Sequence, residues 1–169
     1  MRELAELLNN MRAARVISDY ALFGAVAQMR YAEPVATIDA DVLVSVPAVE
    51  SLDLRAPIYE YCAKRGHRAE GEAVRVGAWP VQFVPVFSPL TREALDRAEV
   101  ADFEGVSLKV VGAEHLAVIA LSVGRPKDFA RILSLLEAGA VSRDGIARLA
   151  ERHGLAEAWM RFVARFFDA

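Results

Sequence analysis

Leu4, Leu7, Leu8 and Met11 recur at the i, i+3, i+4, i+7 spacing that gathers apolar side chains on one helical face, so the pattern predicts an amphipathic helix from residue 2 to about 16. Asp19-Tyr20-Ala21-Leu22-Phe23 is short, largely apolar and stopped by Gly24, which reads as a buried strand entering a tight turn, with a helix from Ala25 to Tyr31 behind it. Glu33-Pro34 ends that helix. From Ala36 to Val46 the chain alternates, with Ile38, Ala40, Val42 and Val44 on one face of a predicted strand and Asp39, Asp41, Leu43 and Ser45 on the other. Leu54, Ile58, Tyr61 and Cys62 mark a helix closed by Arg65-Gly66-His67, and Ala73–Val76 with Trp79–Phe87 reads as a hairpin around Gly77-Ala78. Thr91 is the expected N-cap of a short helix ending at Ala98, and Val106–Val111 is a further strand. Beyond Gly112 the pattern is helical. Leu116/Ile119/Ala120/Val123, Phe129/Ile132/Leu133/Leu136 and Trp159/Phe162/Val163/Phe166 form apolar stripes punctuated by Gly124-Arg125-Pro126, Gly139 and Gly154. The class is therefore α+β: a mixed sheet flanked by helices over residues 1–111, then a helical subdomain over 112–169, with no internal repeat.

Composition narrows the partners. A chain of 169 residues that is 54% hydrophobic and 25% charged can fill a core, and its net charge of −3 provides no global field for nucleic acid or anionic lipid. Residues 125–169 hold 8 Lys/Arg against 6 Asp/Glu, whereas residues 1–124 hold 12 against 17, a weak asymmetry. The single cysteine, Cys62, suits a reducing compartment. Glu3 and Glu6 interrupt what a signal peptide would need, and the longest apolar run, Leu116–Leu121, is far below the ~18 residues of a membrane helix. A soluble, cytoplasmic protein with no membrane partner is expected.

The candidate chemistry centres on Gly24 and the Asp39-Ala40-Asp41 sequence. Carboxylates at i and i+2 of a strand share a face about 7 Å apart and can jointly ligate Mg²⁺, while a glycine turn opening a helix offers backbone N–H groups to a phosphate. A solvated edge strand would also accommodate the pair, although aspartate is disfavoured in strands. Arg125, Lys127 and Asp128 read either as an anion clamp or as an ordinary helix start with local ion pairs.

The order of strand, Gly24-Ala25, helix and, thirteen residues on, Asp39-Ala40-Asp41 resembles the nucleotidyltransferase superfamily of the DNA polymerase β type. Tyr20–Ala27, Thr37-x-Asp39-x-Asp41, Glu114-His115-Leu116 and Gly124-Arg-Pro-Lys-Asp128 together resemble AbiEii-type and related small bacterial nucleotidyltransferase-like proteins. The resemblance implies that Asp39 and Asp41 are catalytic and bind Mg²⁺ or Mn²⁺, and that Gly24, Ala25, Arg125 and Lys127 bind the phosphates of a nucleoside triphosphate. It also implies that Asp128 orients the basic residues or serves in acid/base work. It further implies transfer of a nucleoside monophosphate to an RNA or protein acceptor, as the toxin of a toxin–antitoxin pair with an antitoxin partner. Departures from the pattern are Ala25 for a second Gly or Ser, Val35 for an arginine, Ala120 for a lysine and, above all, Gln82 at the third-acid position. An amide cannot take a proton, so the alternative is a degenerate nucleotide-binding or protein-interaction protein.

Other features read as scaffold. His67, His115 and His153 lie far apart and lack metal-ligand spacing, so each reads as a surface or helix-end histidine, and Cys62 sits on an apolar stripe as a small core residue. Lys64-Arg65-Gly66-His67-Arg68 reads first as a solvated helix end and second as an RNA contact, and Trp159, Phe162, Phe166 and Phe167 read first as core, with Phe167 also a candidate partner contact.

Overall fold

The computed structural model describes residues 1–33, 37–47 and 53–168, so the expected strand start at Ala36 and the departure at Val35 lie outside the described residues. α1 (Arg2–Ala13) buries Leu4, Ala5, Leu7, Leu8 and Met11 as its apolar spacing dictates, and ends earlier than expected because Arg15 turns left-handed at φ 58°. β1 (Asp19–Phe23) leads directly into α2 (Gly24–Gln28), which is only five residues long. The strand expected from Ala36 begins as β2 at Ala40 and ends at Ser45. Local bonding explains the late start, since Thr37 Oγ1 lies 3.0 Å from Asp39 O and 3.2 Å from Asp39 Oδ1 and holds the approach out of the ladder. Ile38, placed on one face with Ala40, Val42 and Val44, is 86% exposed where those three are buried.

α3 (Ala56–Ala63), β3 (Arg68–Glu70), β4 (Ala73–Val76) and β5 (Trp79–Pro85) follow. α4 spans Pro89–Asp96, and its N-cap is Ser88 rather than the expected Thr91. Ser88 Oγ accepts the Thr91 N–H at 3.1 Å while Thr91 Oγ1 accepts the Ser88 N–H at 3.0 Å, a reciprocal capping box that Pro89 at the first helical position favours. β6 (Glu99–Phe103) and β7 (Val106–Val110) complete a seven-stranded mixed sheet ordered β3-β4-β5-β2-β1-β7-β6. α5 (Ala113–Val123), α6 (Pro126–Glu137), α7 (Arg143–Arg152) and α8 (Ala156–Phe166) close the chain. No helix among the described residues is long and apolar enough to cross a membrane.

The sheet centre sets the site. β2 pairs antiparallel with β1 and parallel with β5, and Ala40, Val42, Leu43 and Val44 are all buried, so both faces of this strand are covered. Cys62 is 1% exposed, and burial pushes its thiol up to about 11, consistent with its place on an apolar stripe.

His115 and His153, distant in sequence, converge on one carboxylate. Glu93 of α4 receives His153 Nε2 at 2.6 Å and Arg152 Nη1 at 2.6 Å, with Arg97 Nε at 3.3 Å and His115 Nε2 at 3.6 Å. Burial works against the charged carboxylate, but these partners outweigh it and hold Glu93 below the ordinary range. A lowered folded value means stability that is present above the ordinary carboxylate range and lost as pH falls through the folded value. Glu93→Ala is therefore expected to cost about 1–3 kcal/mol at neutral pH and to flatten the acid limb of the Tm profile, both readable by calorimetry.

Candidate functional site

Strand register assembles one wall of the site. Asp41 lies opposite Phe23 of β1 and opposite Gln82 of β5, so the turn at Gly24 and the amide of Gln82 flank the same carboxylate. Gly24 has φ +71°, and a Cβ added there would collide with Asp41 Oδ2, so glycine is required both for the backbone and for the space beside the carboxylate. Asp39, just before β2, accepts a hydrogen bond from Gln82 Nε2 at 3.0 Å through Oδ2 and faces Thr37 through Oδ1.

The opposite wall comes from the α5–α6 junction. Gly124 ends α5 in the left-handed region at φ 71°, and Arg125 precedes Pro126 at the start of α6. Asp128 is 1% exposed and is tied to Arg125 Nε at 2.7 Å, to the Arg125 backbone N–H at 3.2 Å and to Arg131 Nη1 at 3.4 Å. Arg131 Nε also donates to Gln28 Oε1 at 3.1 Å. Among the described residues Lys127 has no ion-pair partner.

These walls enclose a cavity of about 680 Å³ lined by Gly24, Ala25, Gln28, Asp39, Asp41, Gln82, Ala120, Arg125, Lys127, Asp128 and Arg131 among others. Every site residue singled out from the sequence reaches it, although more than eighty positions separate Asp41 from Lys127. Arg131 and Gln28 were missed. Helical spacing could have found both, because Arg131 lies three residues after Asp128 and Gln28 four after Gly24. The stripe Leu116/Ile119/Ala120/Val123 borders the same cavity, with Val123 47% exposed instead of buried in the core. α2 offers a single turn, so the anion capacity expected there rests on the backbone N–H groups of its first residues, which have no partner within the helix.

Electrostatics distinguish the two aspartates. Burial, then the neighbouring Asp39, pushes Asp41 above the usual carboxylate range, while Arg131, Lys127 and Arg125 pull it back. A raised folded value means that ionised Asp41 costs stability: the cost is absent well below the ordinary carboxylate range, grows as pH rises through it and is full above the folded value. Asp41→Asn is thus expected to raise Tm at neutral pH, with the gain vanishing in acid, as a pH series of thermal melts would show.

No protein-family model matches the chain, and no curated protein matches it in sequence. Solved structures do. The chain is similar to the antibiotic-resistance factor ANT(2'')-Ia in its solution structure, at 13% identity over 96% of this chain and 95% of that one, with a TM-score of 0.54. It is similar to an antigenic nucleotidyltransferase-like protein from Paracoccidioides brasiliensis at 12% identity, 99% and 98% coverage and a TM-score of 0.56. A crystal structure of ANT(2'')-Ia with adenylyl-2''-tobramycin matches at 13% identity, 96% and 97% coverage and a TM-score of 0.50. At such identities the likeness speaks of architecture alone, and the α+β sheet with its flanking helices agrees with it. The chain has the nucleotidyltransferase fold.

Proposed function

We propose that the chain binds a nucleoside triphosphate with a divalent cation in this cavity and transfers its nucleoside monophosphate slowly to an acceptor hydroxyl. The observation that carries the reading is the meeting of Asp39 and Asp41 with Arg125 and Lys127 across one cavity. The donor set fits a divalent ion: two carboxylates suit Mg²⁺ or Mn²⁺ when phosphate oxygens supply the rest of the shell, and the missing Cβ of Gly24 is what leaves room for the Asp41 carboxylate at the cavity wall. Asp39 and Asp41 would hold the ion, which when bound neutralises charge on the transferring phosphate.

The remaining work falls to side chains and backbone. Gly24 and Ala25 present N–H groups to the phosphates, and Lys127 and Arg125 neutralise the charge of the departing pyrophosphate. In this reading Asp128 takes the orienting role of the two expected for it: its oxygens accept from Arg125 and Arg131, which supports a positioning part over acid/base work. The new bond joins the acceptor oxygen to the α-phosphorus as the α–β phosphoanhydride breaks, and the hydroxyl proton must leave. Gln82 cannot receive it, so the proton passes to solvent or substrate phosphate, and the loss of a general base slows transfer by roughly 10²- to 10⁴-fold.

Gln82 also favours a second reading, binding without turnover. The division at residue 111 belongs to the same proposal, since it would set the aspartates in the sheet domain and the basic residues in the helical subdomain. The acceptor classes are RNA and protein hydroxyls, in keeping with a toxin countered by an antitoxin; the ANT(2'')-Ia complex, which holds adenylyl-2''-tobramycin, adds small-molecule hydroxyls. The test incubates the protein with labelled triphosphates, Mg²⁺ or Mn²⁺, and pools of each acceptor class. Slow labelling abolished by Asp39→Asn and accelerated by Gln82→Glu is expected. Labelling indifferent to Asp39→Asn contradicts the proposal, and intact binding with no labelling by either protein selects the second reading.

A further inference from the structure

We infer that the cavity takes a single divalent cation with its nucleotide, and that the amide of Gln82 stands where a second cation would need a carboxylate. The inference rests on the nucleotide reading above and goes beyond it by fixing the number of ions and the residue responsible.

The argument is one of charge and geometry. Among the described residues three carboxylates line the cavity, but Asp128 is almost completely buried and gives both oxygens to arginines, which leaves Asp39 and Asp41 for cations. Two carboxylates balance one divalent ion. A second ion about 4 Å away would have to share those same two carboxylates, with no further acidic side chain among the described residues of the cavity to hold it against the phosphates.

Gln82 makes this specific. It sits in register beside Asp41, and its Nε2–H donates to Asp39 Oδ2 at 3.0 Å, so the positive end of an amide dipole meets the carboxylate face that a second ion would share. With Thr37 at Oδ1, both oxygens of Asp39 have a partner that fixes the plane of the carboxylate. An acid at position 82 would reverse this, adding a negative charge and removing the donor. An independent feature points to a ligand in the same cavity: Gln28 lines it fully buried, Arg131 fixes its amide orientation through Oε1, and its Nε2 has no hydrogen-bond partner.

The test counts ions without turnover. The full chain is saturated with a non-hydrolysable nucleoside triphosphate, and Mn²⁺ is titrated while bound ion is read by electron paramagnetic resonance and bound nucleotide by equilibrium dialysis. Wild type is expected to hold one Mn²⁺ per bound nucleotide, and the near-isosteric Gln82→Glu two, with the broadened signal of a spin-coupled pair. Two ions in wild type would overturn the inference while leaving the nucleotide reading intact, and so would one ion in a folded Gln82→Glu. Nucleotide absent from the dialysis would instead refute the nucleotide reading, and the inference with it. The wild-type count decides the matter even if the variant fails to fold.

Discussion

Asp39→Asn with Asp41→Asn is expected to abolish cation-dependent binding of a nucleoside triphosphate and to reduce any transfer by at least about 10³-fold, while leaving the protein as stable as wild type or more so. The two outcomes have one cause. Asp41 is half-buried beside Asp39, and both burial and that neighbour oppose its ionisation, so the fold gains nothing from the charge. What the pair supplies is a place for a divalent ion among phosphate oxygens. Asparagine keeps the shape and removes the charge, which separates binding from folding. Titration calorimetry with Mg²⁺ and a non-hydrolysable triphosphate, paired with a thermal melt, measures both. A variant that lost binding and also melted much earlier would show the carboxylates to be structural.

Gly24→Ala is expected to damage fold and site together. The residue sits at φ +71°, where an L side chain costs about 1–2 kcal/mol, and its added Cβ would overlap Asp41 Oδ2. The backbone strain alone should lower Tm by roughly 2–8 °C in a chain of this size. Relief of the overlap must move the Asp41 carboxylate, because the alternative is to displace β1 from its pairing with β2. A displacement near 1 Å at a reacting centre typically costs about 10²-fold in rate. Nucleotide affinity and Tm in the same preparation check both halves: a variant with wild-type affinity would remove Gly24 from the site and leave it a turn residue.

The site was more legible than the sheet around it. Gly24, Asp39 and Asp41 could be placed because a glycine turn and two carboxylates stand out among apolar neighbours, whereas Gln82 came only with the family resemblance, and the ladder brings it directly opposite Asp41. The strands that escaped notice are the two edges. β3 (Arg68–Glu70) is exposed throughout and β6 (Glu99–Phe103) nearly so, with Val100 67% exposed, so neither has a buried face to impose alternation on its sequence. Their membership in the sheet is decided by backbone pairing, to which hydropathy is blind. Ile38 departs for the reverse reason: it is in phase with the buried Ala40 and Val42, but the hydrogen bonds of Thr37 with Asp39 stop the strand short of it. Glu93 has a third cause: it draws its role from His115, Arg152 and His153 on other helices, and no local spacing announces such a meeting.

The most direct measurement is a crystal structure of the protein with Mn²⁺ and a non-hydrolysable nucleoside triphosphate. The account predicts anomalous density between Asp39 and Asp41, phosphates against the backbone of Gly24 and Ala25 with Lys127 on their far side, and Gln82 still bonded to Asp39. Nucleotide bound elsewhere, or bound here with Asp39 and Asp41 free of any ion, would contradict it.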